Sequence, residues 1–258
     1  GQALWKKKFC LITGGNGFLG SRFCKFFSSI NYHVISIDKD YKKKNSKHDK
    51  FSNNIIKLKC DITNELEVKE LISKFKTKKI ELLINNAAID AIPKSASKSN
   101  LIYPDLKTWK NEIDVSIIGS FLMIKYFGNL MNKRKFGSII NIGSDLSVIA
   151  PNQKIYKKSY KNYKKPPTYS VIKHALVGLT KYYASLYAEN NVRVNMVSPG
   201  PVLNNQSKSL IKELINLTPM NRLNKPQNLM GILNFLASED SSFITGQNII
   251  IDGGRTII

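Results

Sequence analysis

The 258-residue chain is poor in cysteine and has no long apolar run, and each shortage excludes a class of protein. Its three cysteines, Cys10, Cys24 and Cys60, show no CxxC spacing and lie in apolar surroundings. The sequence therefore supports neither a disulfide framework nor a metal site. No apolar run reaches the roughly 18 residues that a membrane span requires. We expect a cytoplasmic protein with core thiols, no bound metal and no membrane partner.

Acidic residues and arginine are also scarce. The chain has 40 Lys and Arg against 18 Asp and Glu, a formal net charge of +22, which suggests a polyanionic partner such as nucleic acid. Only five of the basic residues are arginines, however, and the forked guanidinium makes many contacts to bases and phosphates in nucleic-acid interfaces. The lysines are spread over predicted loops and helix faces. We therefore expect no nucleic-acid partner.

Short β-rich runs alternate with segments of helical periodicity along the chain. The predicted strands begin at Phe9, His33, Ile55, Leu82, Ser138, Val192 and Asn248. The predicted helices cover residues 19–29, 65–75, 109–131, 169–189 and 228–236. This alternation is typical of parallel strands joined by crossover helices on both faces of a sheet. The sequence predicts an α/β fold with a doubly wound parallel sheet (a Rossmann fold) in a single domain over residues 1–258.

Two stretches, 145–168 and 199–226, lack a clear period and are too long to be plain connections. Long loops at the carboxyl ends of parallel strands usually carry the functional site. We therefore expect an insert near 145–168 and a substrate loop near 199–226.

The segment LITGGNGFLG joins the first predicted strand to the first predicted helix. Its glycines Gly14, Gly17 and Gly20 permit a tight turn, close approach of a pyrophosphate and close packing of helix on strand. Asp38 ends the second strand, where a carboxylate accepts hydrogen bonds from the adenosine ribose and repels a 2′-phosphate. The sequence thus predicts NAD in preference to NADP, although Lys39 could instead attract the phosphate.

Tyr169 and Lys173 are four residues apart, so they share one face of a predicted helix. A free tyrosine has a pKa of about 10, and a neighbouring ammonium favours the phenolate. Ser144, just past the fifth strand, could hold the same substrate oxygen. The YxxxK pattern alone is common, but its combination with the glycine loop is specific.

Together these motifs resemble the short-chain dehydrogenase/reductase family, through LITGGNGFLG, INNAA, GSIINIGS, YSVIK, VRVNMVSPGPV and ITGQNIIIDGG. The resemblance implies that Tyr169 is the general acid and base, that Lys173 binds the nicotinamide ribose and tunes Tyr169, and that Ser144 orients the substrate. It also implies a homodimer or homotetramer with the last strand and the long helices at its interfaces. The implied catalytic residues are Ser144, Tyr169, Lys173 and Ser116. The implied cofactor-binding residues are Gly14, Asn16, Gly17, Phe18, Leu19, Asp38, Asp61, Ile62, Asn86, Ala87, Tyr169, Lys173, Pro199, Gly200 and Val202.

Three features depart from the classical branch of that family. The glycine loop reads TGxxGxxG, as in sugar-nucleotide epimerases and dehydratases, whereas the classical branch has TGxxxGxG. Ser116 replaces the asparagine of the family's proton relay. The 24 residues between Ser144 and Tyr169 are about twice the usual gap. An epimerase or dehydratase therefore stays open as an alternative activity, as does a non-catalytic NAD-binding scaffold.

The insert interleaves aromatic and basic side chains: Tyr156, Tyr160, Tyr163 and Tyr169 with Lys154, Lys157, Lys158, Lys161, Lys164 and Lys165. Aromatic faces stack on sugar rings and lysines attract carboxylate or phosphate. The pattern favours a small-molecule substrate that is sugar-related or anionic, and it resembles inserts in family members of surface-sugar and flagellin-modification pathways. The alternative is a solvated loop or a subunit contact.

Overall fold

Seven parallel strands form the centre of the protein. The computed structural model describes residues 7–42, 53–89, 103–159 and 163–258, except the side chains at positions 157 and 158. The strand order is β3-β2-β1-β4-β5-β6-β7, and every neighbouring pair is parallel. The strands are β1 Lys8–Thr13, β2 Tyr32–Asp38, β3 Ile55–Lys59, β4 Ile80–Asn85, β5 Gly137–Ile142, β6 Val192–Pro199 and β7 Asn248–Ile251. The predicted doubly wound α/β sheet is confirmed.

Seven helices accompany the sheet in the part of the chain that the structure describes. They are α1 Phe18–Ser29, α2 Glu65–Phe75, α3 Leu106–Arg134, α4 Gln153–Ser159, α5 Pro167–Tyr187, α6 Lys208–Asn216 and α7 Gln227–Ala237. Five of them match the predicted helices to within a few residues. The sequence pattern missed α4 and α6, which lie in the two irregular stretches. Helix α4 has only seven residues, whereas α6 carries apolar residues at helical spacing, Leu210, Ile211, Leu214 and Ile215, which the sequence prediction overlooked.

Hydrophobic layers cover both faces of the sheet. On one face the core includes Val68 of α2, Phe127 of α3 and Tyr187 of α5. On the other face it includes Phe27 of α1 and Leu233 of α7. Strands buried on both faces must be apolar along their whole length, which explains the near-continuous apolar runs. The free cysteines Cys10, Cys24 and Cys60 are all buried in these layers.

Helix α3 is long and apolar enough, by length and composition alone, to cross a membrane. Its apolar face nevertheless packs into the core, where Met123, Ile124, Phe127 and Met131 are almost wholly buried. The helix contains two π turns, Asp114–Ile118 and Ile124–Gly128. Burial of this face against the sheet identifies α3 as a core helix of an α/β protein.

The sequence order of the strands reverses between β1 and β4, because β1 leads to β2 on one side and β4 leads to β5 on the other. The loops at the carboxyl ends of these two strands diverge and leave a crevice between them. In open α/β sheets this crevice is where ligands bind. The sheet topology therefore places the functional site at this edge before any side chain is considered.

Candidate active site

A cavity of about 560 Å³ opens at the carboxyl edge of the sheet. Every predicted site residue except Ser116 lines it: Gly14, Asn16, Gly17, Phe18, Leu19, Asp38, Asp61, Ile62, Asn86, Ala87, Ser144, Tyr169, Lys173, Pro199, Gly200 and Val202. These residues come from the carboxyl ends of β1 to β6 and the loops after them, from the first turn of α1 and from α5. Parallel strands bring their carboxyl ends to one edge, so residues far apart in sequence meet there.

The glycine loop has the backbone geometry of a phosphate cradle. Gly14 has a φ of +66°, a left-handed conformation that favours glycine. A Cβ atom at Gly20 would lie 2.0 Å from the carbonyl oxygen of Gly14, so only glycine fits there. Helix α1 starts at Phe18, and its described first turn has neither a side-chain cap nor an acidic residue. Its N–H groups and positive dipole end can therefore receive an anion, which fits a dinucleotide pyrophosphate.

Side chains from neighbouring strands hold this loop in place. The Asn86 side chain donates to the carbonyl oxygens of Thr13 and Gly14, at 3.1 and 3.3 Å. The Thr13 hydroxyl accepts the backbone N–H groups of Asn86 and Ala87. The INNAA motif after β4 thus ties the glycine loop to the next strand. The motif thereby fixes the shape of the phosphate cradle.

Carboxylates line the end of the cavity beside the glycine loop. Asp38 accepts the backbone N–H of Asn16 and that of Asp40, each at 3.0 Å. Asp61 accepts both the backbone N–H and the hydroxyl of Thr63. These bonds fix both carboxylates at the cavity wall, where Lys39 is the one basic residue on this side in the part of the chain that the structure describes.

The tyrosine and lysine of the YxxxK motif lie side by side in α5. Pro167 occupies the first turn of this helix, where its missing N–H costs no hydrogen bond. The Lys173 ammonium lies 5.5 Å from the centre of the Tyr169 ring and donates to the carbonyl oxygen of Ile142 at 3.1 Å. Ser144 follows two residues after Ile142. The end of β5 and one face of α5 therefore bring the three groups into one cavity.

The comparisons with known proteins agree with this geometry. A sequence model of the family described as enoyl-(acyl carrier protein) reductase matches residues 20–256. A short chain dehydrogenase from Leptospira borgpetersenii, solved with bound NAD+, is 32% identical with a TM-score of 0.83, covering 97% of this chain and 93% of that one. The chain belongs to the short-chain dehydrogenase/reductase family, in its classical branch.

Two further relatives show the range of this family. A 3-oxoacyl-[acyl-carrier-protein] reductase of Buchnera aphidicola is 31% identical over 257 residues, covering 96% of this chain and 97% of the relative. The structure of ElxO with NADP bound is 28% identical with a TM-score of 0.78, covering 98% of this chain and all of that one. This short-chain dehydrogenase/reductase is therefore an oxidoreductase whose structural neighbours hold either NAD+ or NADP.

A buried ion pair next to Ser144 had no signal in the sequence. Arg255 and Asp145, 110 residues apart, form a salt bridge of 2.5 Å with both side chains almost wholly buried. The other carboxylate oxygen of Asp145 accepts the Ser144 hydroxyl and the backbone N–H of Leu146, each at 2.9 Å. Burial raises the pKa of the Asp145 carboxyl, and the Arg255 guanidinium opposes that shift. The C-terminal segment thus supports the loop that carries Ser144.

The turn before Arg255 explains how the C-terminal segment reaches the site. Gly253 and Gly254 have φ values of +67° and +88°, which reverse the chain directly after β7. The Asp252 carboxylate accepts the backbone N–H groups of Gly254 and Thr256 and so fixes this reversal. The DGG sequence is the only local sign of the turn.

Ser116 lies in the first π turn of α3, is buried, and does not line the cavity, although its neighbour Val115 does. Its backbone carbonyl accepts the hydroxyl of Ser120 at 2.7 Å. The family resemblance implies a proton-relay role for Ser116. One lone pair of its backbone carbonyl is already used within the helix, because the side chain of Ser120 reaches back one turn.

The insert contributes only part of its predicted residues to the cavity. Tyr156 and Tyr163 line it and pack edge to face, with ring centres 5.4 Å apart. Lys165 also lines it, whereas Lys164 is exposed and does not. Tyr160 and Lys161 lie outside the described residues, and the side chains of Lys157 and Lys158 are not described. Of the three insert lysines whose side chains the structure describes, Lys154, Lys164 and Lys165, only Lys165 lines the cavity.

Proposed function

We propose that this protein interconverts an alcohol and a ketone with NAD as cofactor, acting on a sugar-related or anionic substrate. The observation that supports the proposal best is that Tyr169, Lys173 and Ser144 share one cavity with the glycine cradle. The bound nicotinamide supplies or accepts the hydride. In the reduction direction the ketone carbon gains that hydride, its oxygen gains a proton from Tyr169, and the product is the alcohol.

The residues of this chain divide the remaining work. Ser144 donates its hydroxyl to the substrate oxygen after exchanging its bond to Asp145. Lys173, buried beside the Tyr169 ring, favours the phenolate form and so makes proton transfer feasible near neutral pH. Pro199, Gly200 and Val202, at the end of β6, form the wall on which the nicotinamide ring would rest. The turnover of a panel of ketones, followed as loss of NADH absorbance, tests this proposal.

The glycine spacing TGxxGxxG favours a second candidate function, that of an epimerase or dehydratase. Such an enzyme uses its nicotinamide cofactor without net oxidation or reduction of it. Such an enzyme would change a sugar nucleotide while leaving the NADH concentration constant. A non-catalytic scaffold would bind NADH without changing either the sugar nucleotide or the NADH concentration. The subgroup of surface-sugar and flagellin modification rests on the resemblance of the insert alone, and product analysis with a nucleotide-linked sugar tests it.

We expect kcat/KM to be at least about tenfold higher with NADH than with NADPH. Among the described lining residues, three carboxylates, Asp38, Asp40 and Asp61, and one cation, Lys39, lie on the adenosine side. A carboxylate that binds the ribose hydroxyls also repels a 2′-phosphate. Asp38→Asn should lower the ratio of kcat/KM with NADH to that with NADPH, and Lys39→Gln should raise it. Equal use of both cofactors by the unmodified protein would mean that Lys39 outweighs the carboxylates.

We also propose that the protein is a cytoplasmic homodimer or homotetramer. An apolar stripe along α5 supports an interface there, since Val171, Ala175, Gly178, Tyr182 and Leu186 follow helical spacing and are all exposed. Contiguous exposed apolar residues of this kind usually mark an interaction surface. Phe243 and Ile258, which flank the last strand in the sequence, are also exposed, and that strand is the other implied interface.

Tyr182→Asp combined with Leu186→Asp should shift the protein toward monomer. The two charges would lie at the C-terminal end of the α5 stripe, where burial without a partner is costly. Light scattering coupled to size exclusion measures the mass of the particle. Lys212→Asp, an exposed charge change on α6, is the matched control and should leave the mass unchanged. An unmodified protein that is already monomeric would contradict the proposal.

A further inference from the structure

We propose that Asp145 is a positioning residue for the reaction: held by Arg255 from the segment after β7, it keeps the hydroxyl of Ser144 in one place at the cavity wall. Ser144 donates to the substrate oxygen in the proposed function, on which this inference rests. The two charged residues would not themselves react. Their role would be to place the group that does contact the substrate.

Two hydrogen bonds fix the hydroxyl oxygen of Ser144. The hydroxyl donates its proton to Asp145 at 2.9 Å, and its oxygen accepts the backbone N–H of Leu146 at 3.2 Å. The same Leu146 N–H also donates to the Asp145 carboxylate, at 2.9 Å. The carboxylate is therefore bonded both to the hydroxyl and to the backbone group that holds the hydroxyl oxygen.

This arrangement lets the hydroxyl change its partner while its oxygen stays in place. A hydroxyl proton rotates about the Cβ–Oγ bond to suit its acceptor. When Ser144 turns its proton toward a substrate oxygen, the Leu146 N–H still holds Oγ. The Asp145 carboxylate then keeps Leu146 and Arg255 as its partners, so it is not left unsatisfied. A donor placed in this way before the substrate arrives is what transition-state stabilisation requires.

Arg255 keeps Asp145 in the form that this role needs. Asp145 is 2% exposed and Arg255 is 6% exposed. The guanidinium donates to the second carboxylate oxygen of Asp145, the one that does not bond to Ser144. A buried carboxylate without a countercharge is costly. With this partner both oxygens of Asp145 remain acceptors, one for the guanidinium and one for the turn that carries Ser144.

The other end of the same turn is attached to β7. The Asn248 side chain donates to the Ser147 hydroxyl at 2.9 Å and accepts the Ser198 hydroxyl at 2.6 Å. Ser147 and Ser198 are both almost wholly buried. Residues 144–147 are thus bonded at both ends to side chains from the segment 248–255. We infer that this segment, far from Ser144 in the sequence, determines where the serine lies.

The test replaces the ion pair with apolar side chains. The double variant Asp145→Leu with Arg255→Met leaves neither charge at this place, and such replacements often leave stability nearly unchanged. Its kcat for ketone reduction should fall about 10- to 100-fold, because a small misplacement of a group in the site costs up to that much. Its NADH affinity should equal that of the unmodified protein, because the glycine loop is untouched.

The same double variant in a protein that already carries Ser144→Ala shows whether the effect passes through the hydroxyl. There the added changes should lower kcat/KM by less than about threefold, because the group that Asp145 positions is already gone. Arg255→Lys keeps the countercharge and should retain more activity than Arg255→Met. The matched control is Arg222→Met, which removes an exposed guanidinium that does not line the cavity and should leave kcat unchanged.

Hydrogen exchange follows the same turn without any substrate. The amide of Leu146 bonds to the Asp145 carboxylate, and the amide of Val148 bonds to the Asp145 backbone carbonyl. Amides in residues 145–148 should exchange about 10- to 100-fold faster in the double variant, because a hydrogen bond to a charged group is lost. Arg222→Met should leave this exchange unchanged.

Three results would overturn the inference: unmodified kcat in a folded double variant, an equal fractional loss with and without the Ser144 hydroxyl, or unchanged exchange in residues 145–148. Melting temperature shows whether each variant is folded. Asp145→Ala with Arg255→Gln repeats every measurement if the apolar pair does not fold. Failure of the proposed function looks different, since the unmodified protein then reduces no ketone. The exchange measurement alone then decides whether the ion pair holds the turn that carries Ser144.

Discussion

Tyr169→Phe should lower kcat/KM for ketone reduction by about 10²–10⁴-fold while NADH affinity stays nearly unchanged. General acid catalysis by a positioned side chain contributes a factor of this size. The substitution removes one hydroxyl from α5 and leaves the glycine loop, Asn86 and Asp38 untouched, so the cofactor-binding wall keeps its shape. Steady-state assays measure the first effect, and NADH fluorescence titration measures the second.

Tyr32→Phe is the matched control, since it removes a hydroxyl at the amino end of β2, on the edge of the sheet opposite the cavity. Its activity should stay close to that of the unmodified protein. If Tyr169→Phe keeps activity within about tenfold, Tyr169 is not the general acid. If NADH affinity falls in parallel with activity, the tyrosine acts mainly in cofactor binding.

Arg255→Gln should destabilise the protein by about 3–5 kcal/mol, the largest loss that we expect from a single change outside the hydrophobic core. The variant leaves the Asp145 carboxylate buried with the Ser144 hydroxyl and the Leu146 N–H but without its countercharge. Denaturant unfolding gives the free energy of unfolding. Because Asp145 also holds the hydroxyl of Ser144, the variant should lose activity at temperatures where it is still folded.

The loss of stability in Arg255→Gln should depend on pH. Burial raises the pKa of Asp145, and Arg255 lowers it. In the variant the guanidinium no longer opposes the effect of burial, so the pKa of Asp145 should be higher than in the unmodified protein. A carboxyl group whose folded-state pKa is raised stabilises the fold below its unfolded pKa, and this contribution is lost as pH rises through the folded pKa. The free energy of unfolding of Arg255→Gln should therefore be closer to that of the unmodified protein at pH 5 than at pH 8. A loss of stability that is the same at pH 5 and at pH 8 would contradict a stabilising ion pair between Asp145 and Arg255.

A double variant separates the ion pair from simple loss of packing. Asp145→Asn alone leaves the Arg255 cation buried and unpaired, whereas Asp145→Asn with Arg255→Gln leaves no buried charge at this place. The double variant should be more stable than the sum of the two single losses indicates. Strict additivity would mean that the two side chains contribute independently.

The sequence by itself determined the architecture and the cofactor cradle. Alternation of apolar strand runs with helical periods fixes a parallel, doubly wound sheet, because parallel strands need crossover helices. Of the glycines at positions 14, 17 and 20, the first has a left-handed backbone and the last leaves no room for a Cβ atom, so glycine is required at both places. Tyr169 and Lys173 were found because four residues bring two side chains to one face of a helix. All of these signals are local, so a linear pattern carries them.

Only the tertiary structure decided the rest. Arg255 meets Asp145 across 110 residues, and Gln153 holds Lys165 through two hydrogen bonds to its backbone, which no residue pattern encodes. Helices α4 and α6 pack on each other through Ile155, Leu210 and Leu214, a contact between the two irregular stretches that only the fold shows. In the sequence the insert interleaves tyrosines with lysines, and no single lysine stands out. Burial against Tyr169 distinguishes Lys165 from exposed Lys164, because cavity walls form only when the chain folds.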